Sequence, residues 1–578
     1  MASVLKLRRG NRIQNNVFTG AEGELSYDST AKKIRVHDGI TLGGKMLASE
    51  IVSVKDFGAV GDGIADDTLA IQAAIDSLTA LSGGAIHIPA GTYLASGIVV
   101  SNNITITGNG AASVLKQNGS AGVITCDSGS STAFVKNIKI TNLKLLGTVV
   151  EDGFSEFIHL IALNGVKNCI IESCIIEGYR GDGVYIGSGS SAGQERHNIN
   201  VTIQNNYING VNRDNRNGIS VIDCDGLTIQ NNYIVNSSRN SMPGAIDLEP
   251  DNQAYHVIKN VNIVGNYITL CGGNVGQISV YVQGSVPLPT NINISNNFIW
   301  NNTLSATSSY GISFAINRNL TATDANQNIT INDNVIQDGA GAIFLMSGKG
   351  INIVGNFMQR LILGVNIGYL TSTAMNVRFI NNTLEKCGTV SKIGLTVFGV
   401  DNLDIINNEF IDCGSGAAGS YAIDFNQGSS SYVNLSNNTI TSPTGQTLVA
   451  VVKEGSHTFN AATNQMYGNK FSGLGAAFAA YKTDYCELGN ANVYSTAVLP
   501  LSFPYGKSTS LVNGDAGLPV GYSQGTLVTD NASTTGGWIT QYFIPRGISG
   551  TSFTKEYRRK NSAGSDNTWE AWVAVTAV

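Results

Sequence analysis

The stretch VNIVGNYI at residues 261–268 is one copy of a phrase that recurs along this chain of 578 residues. Each copy joins an alternating apolar run, a polar pair that usually ends in Asn, and a second apolar run. A repeat of this length that is built from strands rather than helices is typical of a solenoid whose coils stack on one another. The asparagines that anchor the successive copies are Asn206, Asn232, Asn266, Asn297, Asn334, Asn356, Asn382, Asn408 and Asn438.

A second apolar strand follows the phrase in most copies, as in NGISVI at 217–222 and GAIDLE at 244–249. Because side chains alternate along a strand, the Ile, Val and Leu residues of both strands point to one side. Two short strands and a variable loop per coil, with Asn and Gly at the corners, predict an all-β fold, a single-stranded parallel β-helix. Asn suits the corner because it tolerates left-handed backbone angles, and stacked Asn amides can hydrogen-bond from coil to coil.

Composition limits the partners that this chain can have. Only 13% of the residues are charged and the formal net charge is −6, so we expect no nucleic-acid partner. No apolar run is long enough to span a membrane, and the start MASVLKLRRGN lacks the apolar core of a secretory signal, so we expect folding in a cytoplasm without membrane insertion. The eight cysteines include no CxxC pair. We therefore expect them to fill the core, and we expect no metal or cofactor.

The first fifty residues form a separate, charged segment. LKLRRG at 5–10, GELSYD at 23–28 and KKIRVHDGITLGGK at 32–45 resemble the N-terminal domain of phage tail fibres and tropism-determinant proteins. That resemblance implies attachment to a virion tail or an adaptor protein. His37 and Asp38 could suggest catalysis, but a tight Asp-Gly turn between strands explains both residues.

Residues 53–100, which begin SVKDFGAVGDGIADDT, resemble the entry module of the pectate-lyase-like β-helix superfamily, which is frequent in phage tailspikes. Asp66 and Asp67 precede an amphipathic stretch, so we interpret both as N-terminal caps of a helix rather than as catalytic acids. An open solenoid end needs a lid, and this helix can supply it. The apolar positions of the stretch are Leu69, Ile71, Ala74, Ile75 and Leu78.

The C-terminal hundred residues are aromatic and Gly-rich. GWITQYFI at 537–544 and TWEAWVAV at 568–575 resemble the small β-rich knob at the C-termini of some phage tail proteins and pyocins. We interpret Trp538, Trp569 and Trp572 as the core of that domain. The predicted divisions of the chain are a virion-attachment-like segment (1–50), an entry module with a capping helix (51–100), a substrate-binding β-helix (101–475) and a β-rich C-terminal domain (476–578).

Counting along the second strands separates inward from outward side chains. In GAIDLE, Ile246 and Leu248 face the core, so Asp247 and Glu249 point outward from one strand. Positions two apart on a strand are roughly 6.5–7 Å apart, and inverting glycosidases hold their two carboxyl groups about 6.5–9.5 Å apart. We therefore predict Asp247 and Glu249 as a catalytic carboxylate pair, with a spacing that leans towards inversion. Solvated surface acids are the alternative, and we interpret Asp424 in YAIDFN as one of these.

Residues around this pair are candidates for binding sugars. Aromatic rings can stack on sugar rings, arginines can hold the carboxylate of an acidic sugar, and further aspartates on neighbouring coils are reserve candidates. The predicted substrate-binding residues are Tyr185, Tyr281, Arg213, Arg216, Arg239, Asp182, Asp214 and Asp223.

The resemblances together imply a phage tailspike: a homotrimer of right-handed β-helices, located in the virion, that binds and depolymerises a bacterial surface polysaccharide. The chain lacks the NTD, GHG and RIK motifs of polygalacturonases, which disfavours a pectin hydrolase. Glycosidic hydrolysis is the predicted reaction. The alternatives are a polysaccharide lyase, in which Tyr281 and Arg239 could act on a uronic acid, and a non-catalytic receptor-binding spike.

Overall fold

The computed structural model describes residues 7–441, apart from short segments at 31–32, 47–50, 285–286, 302–308, 319, 370–373, 415–419 and 431, and beyond residue 441 it describes separate strands. The chain divides into two compact units, residues 1–209 (unit 1) and 210–578 (unit 2). Parallel strands that pair from coil to coil occur in each unit, which confirms the predicted all-β class and the parallel β-helix.

Unit 1 begins with a four-stranded sheet and one short helix, Arg12–Asn16. At the predicted Asp-Gly turn, Asp38 accepts hydrogen bonds from the backbone N–H groups of Ile40 and Thr41. Hydrogen bonds from the Thr41 hydroxyl and backbone hold the pKa of Asp38 below its ordinary value. This turn is therefore a structural element, as predicted. The four strands are Arg8–Gly10, Leu25–Asp28, Lys33–Val36 and Lys45–Met46.

The entry module contains the predicted helix, Thr68–Thr79, which buries Ile71, Ala74, Ile75 and Leu78. Leu69 is 84% exposed and does not belong to that face. The side-chain amide of Gln72 exchanges hydrogen bonds with the backbone of Val99 on the edge strand Ile98–Val99. Because an unpaired strand edge is open to other chains, this contact supports the predicted role of the helix as a lid.

The two aspartates before this helix have different partners. Asp66 accepts a hydrogen bond from the backbone N–H of Thr68 at 3.0 Å, which is a capping bond. The Asp67 carboxylate instead accepts from the backbone N–H groups of Val60 and Gly61, at 2.6 and 3.1 Å. The prediction that both residues cap the helix is thus right for Asp66 and wrong for Asp67, which holds the preceding turn.

The remaining strands of unit 1 pair in parallel between successive coils, and a short helix, Val149–Asp152, lies in one connection. Strand pairs such as Ala162 with Tyr185 fix the register of the second strands in this unit. These strands are Ile51–Ser53, Asp62–Asp66, Gly84–Ile88, Gly91–Ala95, Ile98–Val99, Ile104–Gln117, Ile124–Asp127, Val135–Leu146, Ile161–Asn164, Val166–Glu172, Ile175–Glu177, Val184–Ile186, Asn198–Gln204 and Tyr207–Asn209. A short 3-10 helix, Val54–Phe57, follows the first of them.

The coils of unit 2 repeat a pattern of three strands. Two of them flank the Asn corner, and the third is the apolar strand after the phrase, which keeps the name second strand. The strands in its described coils are Ile219–Val221, Cys224–Gln230, Tyr233–Val235, Ile246–Leu248, Ile258–Val264, Tyr267–Thr269, Val275–Val282, Thr290–Ser295, Phe298–Trp300, Ser309–Ile316, Ile329–Asn332, Val335–Gln337, Ile343–Leu345, Gly348–Val354, Phe357–Leu361, Val365–Ile367, Ala374–Ile380, Thr383–Cys387, Ile393–Val397, Val400–Ile406, Glu409–Ile411, Tyr421–Phe425, Ser429–Ser430, Val433–Ser436 and Thr439–Thr441.

The recurring phrase forms two strands rather than one, because the chain turns inside it. In the copy at 261–268 the strands Ile258–Val264 and Tyr267–Thr269 flank the corner residues Gly265 and Asn266. The left-handed angle falls on the first corner residue, with φ of +67° at Gly265 and +55° at Asn296. The residue before the anchoring Asn thus takes the left-handed angle, and it is a Gly or an Asn in these copies, as the predicted Asn and Gly corners require.

The anchoring asparagines form a buried amide ladder, as predicted. The Asn266 amide nitrogen donates to Asn297 Oδ1 and to the carbonyl of Ile229, each at 2.9 Å, and the Asn266 backbone N–H donates to the same Oδ1 at 3.0 Å. Equivalent amide bonds continue from Asn297 to Asn334 and on to Asn469. The column therefore joins one coil to the next by side-chain and backbone donors together.

The inward positions predicted for the second strands form the core, and each of them is fully buried. The seven cysteines whose side chains the structure describes are buried too, and burial raises the pKa of the Cys271 and Cys413 thiols to about 12, as expected of inert core side chains. The inward residues with 0% exposure are Val184, Ile186, Ile219, Val221, Ile246, Leu248, Ile278, Val280, Ile312, Phe314, Ile343 and Leu345.

Beyond residue 441 the described strands include a five-stranded antiparallel sheet, in chain order, near the C-terminus. Trp538, Trp569 and Trp572 lie outside the described residues. Within the described part of the chain, we find no helix with the length and apolar character needed to cross a membrane. The strands are Ala450–Glu454, Thr458–Phe459, Gln465–Tyr467, Asn469–Ser472, Cys486–Leu488 and then, in the antiparallel sheet, Gly506–Asn513, Gln524–Asn531, Ile539–Pro545, Lys555–Arg559 and Val573–Val575.

Candidate functional site

The predicted acid pair lies on the strand Ile246–Leu248 of unit 2 and directly after it. Register fixes its neighbours: Asp247 pairs with Ser220 on one side and with Ser279 on the other. The Asp247 side chain therefore lies on the outer surface of the strand, since Ile246 and Leu248 are in the core. Glu249 follows the strand, and its backbone N–H donates to the carbonyl of Val221 at 2.9 Å.

Glu249 lies beside one of the predicted binding arginines. Its Oε2 atom is 3.5 Å from the Arg216 guanidinium, and the two side chains are 28% and 12% exposed. Arg216 also reaches the Ser220 hydroxyl, at 3.4 Å. This half-buried ion pair keeps a carboxylate at the surface beside a fixed positive charge. Such a carboxylate can activate a water molecule or contact a sugar.

Asp247 differs from Glu249 because it is fully buried, with 0% exposure. The side-chain amide of Asn217 lies 3.4 Å from Asp247 Oδ2 and 2.7 Å from the Ser220 hydroxyl, so polar groups surround the carboxyl. The expectation that both outward acids are open to solvent is therefore wrong for Asp247. Alternation along a strand gives the side on which a residue lies, but it does not show which segments cover that side.

Tyr281 occupies the position that the sequence predicted for it. It follows Val280 as Glu249 follows Leu248, and Leu248 and Val280 are partners in adjoining coils. Its ring is half-buried, and its hydroxyl accepts a hydrogen bond from Gln283 at 2.5 Å. The register thus brings an aromatic side chain next to Glu249 on the outer surface.

The other predicted residues of unit 2 are spread over neighbouring loops. Arg239 lies 3.6 Å from Asp214, and both are well exposed. Arg213 has a left-handed backbone, with φ of +60°. Asp223 is fully buried, and its carboxylate accepts the backbone N–H of Val257 at 3.0 Å, so it holds the chain at the start of the next coil. Of the three reserve aspartates, Asp223 therefore has a structural role.

In unit 1, Asp182 and Tyr185 come together around His159, which sequence reasoning missed. His159 Nδ1 lies 3.1 Å from Asp182 Oδ2, and the imidazole stacks on the Tyr185 ring with centroids 4.2 Å apart and planes 9° apart. One face of the Tyr185 ring is thus covered by the His159 imidazole, so the ring is not open on both faces. His159 lies two residues before the strand Ile161–Asn164, and only the pairing of coils shows that it meets residues 23 and 26 positions later.

Asp424, interpreted from sequence as a surface acid, is fully buried. It pairs with Thr396 in the adjoining coil, and its Oδ2 accepts a hydrogen bond from Asn426 at 3.2 Å. Asp424 therefore repeats the situation of Asp247 on a distant coil of unit 2. Over the described residues, no three His, Cys, Asp or Glu side chains gather closely enough to hold a metal ion.

Two family models match this chain. Residues 51–270 match the model described as rhamnogalacturonase A/epimerase, pectate lyase-like, and residues 5–41 match the major tropism determinant N-terminal domain. They confirm the two resemblances noted in the sequence, one to pectate-lyase-like β-helices and one to the N-terminal segment of phage tropism proteins.

Individual proteins are similar to this chain either over a short stretch of sequence or over most of the chain at low identity. Mannuronan C5-epimerase AlgE5 of Azotobacter vinelandii is 48% identical over 66 residues, which is 10% of this chain and 7% of the epimerase. The plasmin and fibronectin-binding protein A of Streptococcus pneumoniae is 40% identical over 90 residues, 15% of this chain and 12% of that protein. The pre-mature gene product 12 of bacteriophage phi29 overlays 76% of this chain and 57% of its own, at 18% identity and a TM-score of 0.48.

Proposed function

We propose that this protein is a phage tailspike, carried in the virion as a homotrimer, that binds a bacterial surface polysaccharide and cleaves it by glycosidic hydrolysis. The pectate-lyase-like match over 51–270 and the tropism-determinant match over 5–41 support the general class. The observation that carries the chemistry is the half-exposed Glu249 carboxylate, held 3.5 Å from Arg216 and next to Tyr281 in register.

The two acids take different roles in this proposal. Hydrolysis needs one carboxyl group that donates a proton to the leaving oxygen and one carboxylate that activates water. Glu249, paired with a guanidinium and reachable from solvent, is assigned as the base. Asp247, removed from water among polar groups, is assigned as the proton donor, because burial favours the neutral form of a carboxyl group. Since Asp247 is fully buried, substrate binding has to move the groups that shield its carboxyl group from solvent.

The experiment is incubation of the purified full chain with a panel of extracted bacterial capsules and lipopolysaccharides. New reducing ends without the ultraviolet absorbance of an unsaturated uronic acid are expected. Glu249→Gln and Asp247→Asn should each lower the rate by at least about 100-fold, the usual contribution of an acid or base. Asp424→Asn is the matched control, since Asp424 is an equally buried outer-surface aspartate on another coil.

Other outcomes have definite meanings. A product that absorbs as an unsaturated uronic acid would replace hydrolysis with lyase action, the alternative in which Arg239 and Tyr281 handle a uronic acid. Retained binding of an intact polymer would leave a receptor-binding spike. Normal activity in both acid variants would contradict the assignment of Asp247 and Glu249.

A further inference from the structure

The loop between the strands Val184–Ile186 and Asn198–Gln204 of unit 1 contains a serine, a histidine and a glutamate joined by hydrogen bonds. Ser190 Oγ lies 3.2 Å from His197 Nδ1, and His197 Nε2 lies 3.3 Å from Glu195 Oε2. With the ring proton on Nε2, His197 donates to Glu195 and offers the Nδ1 lone pair to the serine hydroxyl. A nucleophile, a base and an orienting acid in this order are the parts of a serine hydrolase.

The loop is held at its base by one buried arginine. Arg196, which lies between Glu195 and His197, is 5% exposed. Its guanidinium donates to the carbonyls of Asn164 and Ala133, each at 3.1 Å, and to Asp127 Oδ1 at 3.1 Å. Because Arg196 is fixed to three other residues of unit 1, the two residues beside it have little freedom to move.

The two ends and the tip of the loop are also fixed. Asn198 donates to the carbonyl of Gly187 at 2.7 Å, which joins the ends. Ser191 and Gln194 exchange backbone hydrogen bonds at 2.9 and 3.0 Å around Gly193, whose φ is +75°. The segment is therefore a tight hairpin rather than an open coil, as a preorganised site requires.

The serine hydroxyl is itself oriented. The backbone N–H of Arg196 donates to Ser190 Oγ at 2.9 Å, and this bond occupies one lone pair of the oxygen. With the oxygen held in this way, the Ser190 hydroxyl can donate its proton to His197 Nδ1. His197 is 15% exposed and Glu195 is 68% exposed, so a small ligand can approach from the side of solvent.

We propose that Ser190, His197 and Glu195 form an esterase site for small carboxylic esters, separate from the carbohydrate cleavage at Glu249. Ser190 Oγ attacks the ester carbonyl carbon while its proton passes to His197 Nδ1. The C–O bond to the alcohol breaks, the alcohol leaves with that proton, and an acyl-Ser190 remains. A water molecule, deprotonated by His197, then releases the carboxylic acid and restores the serine. If the proposed function holds, O-acyl groups on the polysaccharide are the esters that this site meets.

The test uses the full chain with two probes, a fluorophosphonate that labels nucleophilic serines and p-nitrophenyl acetate. One fluorophosphonate per chain, located on Ser190 by peptide mass spectrometry, is expected. Ser190→Ala should abolish labelling and acetate release, and His197→Asn should slow release by about 10²–10⁴-fold, the usual worth of a general base. Glu195→Gln should slow it by about 10-fold, because an exposed carboxylate contributes little.

Matched controls are available in the same unit. Ser191→Ala changes an exposed serine one position away, and His87→Asn changes a histidine whose Nε2 lies 2.9 Å from the Asn109 side-chain oxygen instead of near a serine. Both variants should keep the wild-type rate of acetate release. An unlabelled wild-type chain, or a Ser190→Ala chain that releases acetate at the wild-type rate, overturns the proposal without affecting the proposed carbohydrate cleavage.

Discussion

The Asn corner and the outer surface of the second strands both contain columns of buried polar side chains, yet the two columns differ in their hydrogen bonding. At the corner, each amide is bonded on both sides: Asn297 accepts from the Asn266 backbone and side chain and donates to Asn334 and to the carbonyl of Ile263. On the outer surface, the buried hydroxyls of Ser279 and Ser313 have no hydrogen-bond partner among the described residues. The first column therefore gains hydrogen bonds from its buried amides, whereas these two hydroxyls of the second column are buried without that gain.

The largest effect is expected at the buried ladder. Asn297→Leu keeps the approximate shape but removes the four hydrogen bonds of that amide, so we expect a loss of about 3–5 kcal/mol in the free energy of unfolding. Urea titration of the full chain measures it. An effect below about 1 kcal/mol would show that water replaces the amide and that the two columns are not different.

A second, exposed amide column provides the matched comparison. Asn291 has φ of +55°, donates to Asn260 at 2.9 Å and accepts from Asn328 at 3.2 Å. Asn291→Ala should cost about 1–2 kcal/mol, chiefly because Ala resists the left-handed angle. Asn291→Gly relieves that strain and should cost clearly less in the same titration. Equal losses for the two variants would instead assign the effect to the lost amide bonds.

Removal of an outer-surface hydroxyl should change the free energy of unfolding in the opposite direction. Ser279 is fully buried, and its Oγ has no partner among the described residues. Ser279→Ala is therefore expected to be neutral or to stabilise the chain by up to about 1 kcal/mol. A clear loss of stability would mean that this hydroxyl is bonded to ordered water and that the outer column is as fully satisfied as the corner.

The smallest effect is a pH dependence of stability at Asp338, which follows the strand Val335–Gln337. The Arg360 guanidinium, which donates to Asp338 at 2.5 and 2.6 Å, holds the pKa of that carboxyl below its ordinary value. A lowered folded-state pKa adds stability above the ordinary value of about 4, and this stability is lost as the pH falls through the lowered value. Asp338→Asn keeps a residue that tolerates φ of +52° and should flatten the melting temperature between about pH 5 and 3.

Sequence reasoning predicted the repeat, the register and the core, because period-two alternation is a local property of each strand. It placed Ile246 and Leu248 inside and Asp247 outside correctly. It predicted Asn and Gly at left-handed corners, but it left open which member of the corner pair takes that angle, since Asn-Asn gives no local clue to which residue turns. In the copy at 261–268 the Gly before Asn266 does mark the turn.

The candidate sites were less predictable, because they depend on what covers a side chain and on contacts between coils. Asp247 and Asp424 are both buried, although both have outward parity. His159 meets Asp182 only through the pairing of successive coils. Ser190, Glu195 and His197 lie in one loop, but a Ser, a Glu and a His within eight residues are common in any sequence. The bonds of Arg196 give that loop its shape, and they reach residues more than sixty positions away.

The two amide columns point in opposite directions along the chain. At the buried corner the earlier coil donates to the later one, as Asn266 does to Asn297, whereas on the exposed column the later coil donates to the earlier one, as Asn291 does to Asn260. Aligned side-chain amides carry a summed dipole, as aligned peptide groups do in a helix. The field of one column therefore offsets that of the other. Where both columns are present in unit 2, each added coil thus contributes two side-chain dipoles of opposite direction.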